Sequence, residues 1–241
     1  MQAKISIPFI GKGISRVVDK TTGLVKNLTA VFSSKIELKV ENNEVTAIVE
    51  ASDILDICQL LKFDDRLLFN QLIDLSAIDY LFYGQSEWIT ERATDTGFSR
   101  AKTDLKPSAT FNSRYAVVYN FLSLTYNTRL RLKVFLSEED LNISSICSVW
   151  PNADWYEREA FDLFGVFFED HPDLRRILTD YGFVGHPMRK DFPLEGHVEM
   201  RYDAKAGKCV YEKVNIKNRV VIPKVIRNND VASHKGGEDC A

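Results

Sequence analysis

The sequence predicts an α+β fold: a mixed sheet packed with helices, followed by a long extended C-terminal arm with little regular structure. Three observations lead there. Residues 35–50 and 114–136 alternate polar with apolar or branched side chains around short polar turns, as hairpins do. Residues 54–61 space their apolar side chains for one buried helical face. After Gly165 the periodicity stops, and residues 166–241 hold four of the seven prolines. Yet Phe167, Phe168, Tyr181, Phe183, Phe192 and Tyr202 make this stretch too aromatic for a disordered tail. Ordered chain without its own core must bury those rings on the preceding domain or on another protein.

The elements follow in order. Residues 1–28 carry Lys4, Lys12, Arg16, Lys20 and Lys26 against a single acid, Asp19, among apolar residues. A mitochondrial transit peptide has this composition, and so has a basic N-terminal arm. Residues 1–35 are therefore set apart from a globular domain at 36–165. Within it, strands at 35–40 and 44–50 flank Asn42-Asn43. Ser52-Asp53 caps a helix through Leu61. Residues 64–83 suit a helix or a strand. Residues 87–113 are polar, contain Gly97 and Pro107, and form a loop or insertion. The strands at 114–124 and 128–136 meet at Tyr126-Asn127-Thr128. A short helix is expected from Ser137 to about Trp150, and another from Asn152 or Asp154 to Phe164, ended by Gly165. Within 166–241, only residues 171–179 suggest a brief helix.

Bulk properties exclude several classes. The chain has 241 residues and a net charge of −3, so no polyanionic partner is forecast and no nucleic acid is expected. No apolar run approaches the ~20 residues of a membrane-spanning helix. Cys58, Cys147, Cys209 and Cys240 are widely spaced, which fits a reducing compartment and offers no iron–sulfur motif.

Candidate chemistry lies near the helix at 153–164 and beyond it. Glu157, Arg158, Glu159 and Asp162 could supply paired carboxylates for acid–base work, which would make a free-standing soluble enzyme using Glu157, Glu159 and His171. Spacings of three and four more commonly give a solvated or interfacial ion-pair network. His171, His186, His197 and His234 lack zinc-site spacing. Arg175, Arg176, Arg189, Lys190 and Arg201 are balanced by six acids between 171 and 203, so they form no electropositive footprint. Arginines interleaved with aromatics resemble a protein interface. Phosphate-loop, dinucleotide and nucleophile-elbow motifs are absent.

Residues 155–203 read W-Y-E-R-E-A-F-D-L-F-G-V-F-F-E-D-H-P-D-L-R-R-I-L-T-D-Y-G-F-V-G-H-P-M-R-K-D-F-P-L-E-G-H-V-E-M-R-Y-D. This stretch closely resembles the signature of the respiratory complex I 30-kDa subunit family, whose bacterial members are known as the C subunit. Residues 115–131 also resemble the family's hairpin. Departures are the long 87–113 segment, Met188 where leucine is common, and the residues after Tyr211, including Arg219, Lys224 and Arg227. The resemblance implies a core structural subunit of the peripheral arm of proton-pumping NADH:ubiquinone oxidoreductase. It implies no active site, metal or cofactor in this chain; the assembled complex would use FMN, iron–sulfur clusters, NADH and ubiquinone. It implies that residues 166–241 wrap other subunits, above all the 49-kDa quinone-site subunit. The partner-interface residues would be Glu157, Arg158, Glu159, Asp162, His171, Arg175, Arg176, Tyr181, His186, Arg189, Lys190, Asp191, Arg201 and Tyr202. The implied location is the matrix side of the mitochondrial inner membrane, or alternatively the cytoplasmic face of a bacterial plasma membrane.

Overall fold

The computed structural model describes residues 12–33, 35–85, 88–89, 93–94, 97–98, 101–102, 106–107 and 113–215. Expectations for residues 1–11, His234, Cys240 and the basic residues after 216 lie outside them. The chain divides into two compact units, residues 1–80 with 112–192, and residues 81–111 with 193–241.

The first unit opens with α1 (Lys12–Phe32). Strands β1 (Glu37–Glu41) and β2 (Glu44–Val49) follow, joined by Asn42 and Asn43, both at positive φ (52° and 64°). Asparagine tolerates that region, and two such residues make the turn that matches strand twist. A short 3-10 turn leads into α2 (Ile54–Phe63); Asp53 is its N-cap but makes no side-chain capping bond. Next comes β3 (Gln71–Asp79), so the ambiguous 64–83 stretch holds a strand at its centre, with turns on either side. The long hairpin is β8 (Tyr115–Ser123) and β9 (Thr128–Leu136), turning at Asn127 with φ 50°. Between β3 and β8 in sequence lie the two-residue strands β4 (Trp88–Ile89), β5 (Ala93–Thr94), β6 (Gly97–Phe98) and β7 (Ala101–Lys102), which belong to the second unit.

The main sheet has the order β1-β2-β9-β8-β3 and is mixed: β2 runs parallel to β9, and the other pairs are antiparallel. Tyr115, Val117, Tyr119 and Phe121 of β8 share one face by the two-residue period of a strand. Leu130, Leu132, Val134 and Leu136 of β9 continue it. Ile54, Ile57, Cys58 and Leu61 of α2 pack on this layer. Leu24, Leu28 and Phe32 of α1 join the same core, so a boundary at residue 35 does not separate α1 from the domain. Their four-residue spacing is one face of a helix, and that face is buried.

The short helix expected from Ser137 is replaced by β10 (Asn142–Ser144). Ser137 Oγ accepts the Asp140 amide at 3.0 Å and Asp140 Oδ1 accepts the Asn142 amide at 3.2 Å. Such local bonds offer the backbone an alternative to a helix. Helix α3 (Ala153–Phe164) forms as expected, with Asn152 at its N-cap and Gly165 left-handed at φ 78°. Strand β11 (Phe167–Glu169) then pairs with β10 in parallel.

The chain stays on this unit through Phe192, beyond the expected boundary at 165. In the second unit β12 (Val198–Asp203) and β13 (Lys208–Lys213) form a hairpin.

A Cβ on Gly165 would collide with the Arg189 guanidinium and lie 2.7 Å from His186 Nε2. Gly165→Ala is therefore expected to destabilise the first unit by about 2 kcal/mol or more, combining left-handed strain with the clash. Urea unfolding followed by tryptophan fluorescence measures this, and an unchanged midpoint contradicts it.

Candidate functional site

Helix α3 leaves its last carbonyls without intrahelical donors, as every helix does. The segment after it supplies them. Gly165 N donates to Phe161 O at 2.9 Å, and Met188 N donates to Leu163 O at 3.1 Å. Arg189 Nε donates to Phe164 O at 2.7 Å. His186 Nδ1 lies 2.9 Å from Asp162 O, which requires the ring proton on Nδ1. Burial lowers the pKa of His186, in keeping with a neutral ring. Two arginines near the C-terminal end also suit the helix dipole.

Asp162 is the anchor of this wrap and has no accessible side-chain surface. Its carboxylate accepts the Ile177, Leu178 and Thr179 amides at 3.1, 2.8 and 2.8 Å. It also accepts the Thr179 hydroxyl and Arg176 Nη1, the latter at 2.8 Å. Burial pushes its pKa up, but the bonds from Thr179, Leu178 and Ile177 outweigh that and hold it down at about 2. These amides are the ones a helix at 171–179 would have used, so that expected helix does not form. Arg176 continues to Gly185 O at 2.9 Å, and its guanidinium lies over Phe183. Arg158 donates to the carbonyls of Arg175 and Arg176 at 3.1 and 3.3 Å.

Near the start of α3, Glu157 is also fully buried. It accepts Ser145 Oγ at 2.6 Å, the Ile146 amide at 2.8 Å and the Cys147 thiol at 3.3 Å. His171, with no accessible side-chain surface, stands 3.9 Å from it. Burial raises the Glu157 pKa more than those donors and His171 lower it. Burial likewise pushes the Cys147 thiol up to about 12.

A third tie joins the end of the arm to the sheet. Asp79, closing β3, receives Arg114 through two 2.9 Å bonds and the Lys190 amide at 2.9 Å. Arg114 also pairs with Asp191 and Glu138, both at 3.1 Å. Neither Asp79 nor Arg114 stands out in the sequence, because Asp79 meets its partners 35 and 111 residues away. Ser145 and Thr179 are equally silent there.

The predicted site residues thus separate. Glu157, Arg158, Asp162, His171, Arg176, His186 and Arg189 bond within their own unit. Glu159 is exposed, so it does not converge with Glu157. Arg175, Tyr181, Lys190 and Asp191 are exposed on the arm. Arg201 pairs with Glu212 at 2.5 Å, and with Tyr202 it is exposed on the hairpin of the second unit. A surface groove of about 550 Å3 between α1 and the turns at Asn42 and Asn127 includes neither Glu157 nor Glu159.

This arrangement defines an α+β domain with an arm tied along its last helix. A profile of the family described as "Respiratory-chain NADH dehydrogenase, 30 Kd subunit" matches residues 47–198. The NADH-quinone oxidoreductase C subunit of Legionella pneumophila (strain Corby) is 49% identical over 214 residues, 88% of this chain and 94% of the relative. The corresponding C subunit of Hydrogenovibrio crunogenus (strain DSM 25203 / XCL-2) is 53% identical over 206 residues, 83% of this chain and 90% of the relative. A chain in the structure of the membrane-bound sulfane sulfur reductase, an archaeal respiratory membrane complex, shares the fold with a TM-score of 0.52 at 22% identity, covering 73% of this chain and 86% of that one. The chain belongs to the 30-kDa subunit family of respiratory-chain NADH dehydrogenases.

Removing a buried partner of an ion pair costs about 3–5 kcal/mol, so Asp162→Asn should lower stability by an amount near the bottom of that range. The folded pKa of Asp162 lies below its ordinary 3.8, so its contribution is present above that value and is lost as pH falls toward about 2. Urea midpoints between pH 5 and 2 should therefore fall less steeply in the variant (roughly the acid limb of a carboxylate). Glu157 has the opposite sign. Its raised pKa means that its contribution declines as pH rises through the ordinary carboxylate range toward the folded value. Glu157→Gln should accordingly destabilise less than Glu157→Ala in the same assay; the reverse order contradicts this account.

Proposed function

We propose that this chain is a non-catalytic structural subunit of the peripheral arm of a proton-pumping NADH:quinone oxidoreductase, needed for assembly and docked through its arm onto the 49-kDa quinone-site subunit. It holds no redox cofactor, and FMN, iron–sulfur clusters, NADH and ubiquinone are handled by other subunits. The observation that carries the docking is the side of the arm facing water. The buried ties hold the backbone from residue 171 to 192, yet Leu178, Tyr181, Val184 and Met188 are 63, 83, 77 and 52% exposed. A tied segment that directs large apolar side chains outward suits a partner. Among the described residues no helix is long and apolar enough to cross a membrane, which fits attachment through other subunits. The organisms of the relatives are bacterial, which favours the alternative location, the cytoplasmic face of a bacterial plasma membrane, over the mitochondrial inner membrane.

The free-enzyme reading is disfavoured by the separation of buried Glu157 from exposed Glu159. Arg176→Ala is expected to reduce assembled complex by loosening the arm from Asp162, and Asp191→Ala by removing an exposed pair of Arg114.

The test is a tagged chain in gently solubilised membranes, separated on a blue-native gel with an in-gel NADH oxidation stain. Co-migration with a very large NADH-oxidising band is expected. Tyr181→Ala should weaken docking by about 2 kcal/mol, the scale of an aromatic hot spot, while leaving the urea midpoint of the chain unchanged. Migration near 27.5 kDa alone would overturn the assignment.

A further inference from the structure

A trough runs along α1, away from the arm. Lys20, Gly23 and Asn27 recur at helical spacing on one side of it. It has two chambers, of about 170 and 550 Å3, which meet at Lys20, Leu24 and Thr128. The smaller lies against Arg66 and Tyr126, and the larger against the turns at Asn42-Asn43 and Asn127.

Three features of this trough have no use within the chain. The first is charge. Lys20 and Arg129 line it, both are exposed, and neither has an ion-pair partner among the described residues. The other charges on its walls are already met, Arg66 by Asp64 and Glu44 by Arg131, both at 2.7 Å. Two positive charges are left over. The second is the row of exposed side-chain amides of Asn42, Asn43 and Asn127. Each offers donors and an acceptor, which complements a peptide backbone whose residues carry an N–H and a C=O to satisfy.

The third is Gly23. It sits inside a 21-residue helix, where glycine costs stability relative to alanine. A Cβ there would meet nothing within 4 Å, so no packing within the chain requires the glycine. Its absence of a side chain keeps the wall of the trough low enough for another backbone to come near. A small anion would use Lys20 and Arg129 but leave the glycine and the amides without a role. A net charge of −3 disfavours a nucleic-acid strand.

We propose that this trough binds an extended, acidic chain segment of a partner protein. Its carboxylates pair with Lys20 and Arg129, and its backbone lies against Gly23 and the asparagine amides. The contact is separate from the outward face of the arm and stands whether or not the arm docks as described above.

The test titrates the full 15N-labelled chain with a short glutamate oligopeptide blocked at both ends. The expected result is a saturable displacement of the Gly23 backbone amide and of the Asn42, Asn43 and Asn127 side-chain amide resonances, weakening as salt rises. Lys20→Met combined with Arg129→Met should weaken binding about tenfold. Gly23→Gln should raise the urea midpoint, because glycine leaves a helix interior, and should still block the peptide. A blocked single glutamate, inorganic phosphate and a short DNA strand, each added at equal charge, should leave the peptide bound. Unmoved resonances, or full affinity in either variant, would overturn the proposal. Displacement by glutamate or phosphate would overturn it in favour of a small anion, and displacement by DNA in favour of a nucleic acid.

Discussion

The ordered arm depends on the unmet carbonyls at the C-terminal end of α3. Gly165 closes the last i→i−4 bond to Phe161 and then turns left-handed, so Asp162, Leu163 and Phe164 present oxygens that no later turn of helix can satisfy. The segment to Arg189 returns to each of them with an amide, an imidazole or a guanidinium. A chain with little regular structure of its own thereby meets its backbone requirements by completing a helix that precedes it. Asp162 does the reciprocal service, accepting three successive amides of the arm.

The buried charges follow from the same constraint. Asp79, Glu157 and Asp162 have no accessible side-chain surface. Such groups are costly to bury unless their oxygens are filled, and here each is met by several donors. Charged residues thus hold the arm to the domain, while several large apolar residues of the arm face outward. This inverts the usual division of labour over one stretch of chain. It is sensible when the outward face is itself to be covered. Gly185, at φ 100°, lets the chain pass so close to Phe192 that a Cβ would come within 2.8 Å of the ring. That close approach completes the Phe183–Phe192 contact under Arg176.

Local rules explain what was legible. Asn42-Asn43 and Asn127 mark the hairpin turns because their side chains tolerate positive φ, and the alternation at 114–136 places the buried face of β8 and β9. Gly165 marks the end of α3 for the same steric reason. The helix expected at 137–150 failed because Ser137 and Asp140 bond their own backbone. The one at 171–179 failed because its amides were claimed by an acid some 15 residues earlier. In α1, positive charge disguised a core element whose apolar residues recur on one helical face.

By itself the sequence determined the turns, the strand faces, the end of α3 and, through its long signature, the family, because each depends on neighbours a few residues apart or on the string itself. Only the tertiary structure decided which acids are buried, that Asp79 meets both Arg114 and Lys190, and that Cys147 stands beside Glu157 and His171. Those pairings join residues 10 to 111 positions apart. The folding of the whole core sets their distances, and no local pattern encodes them.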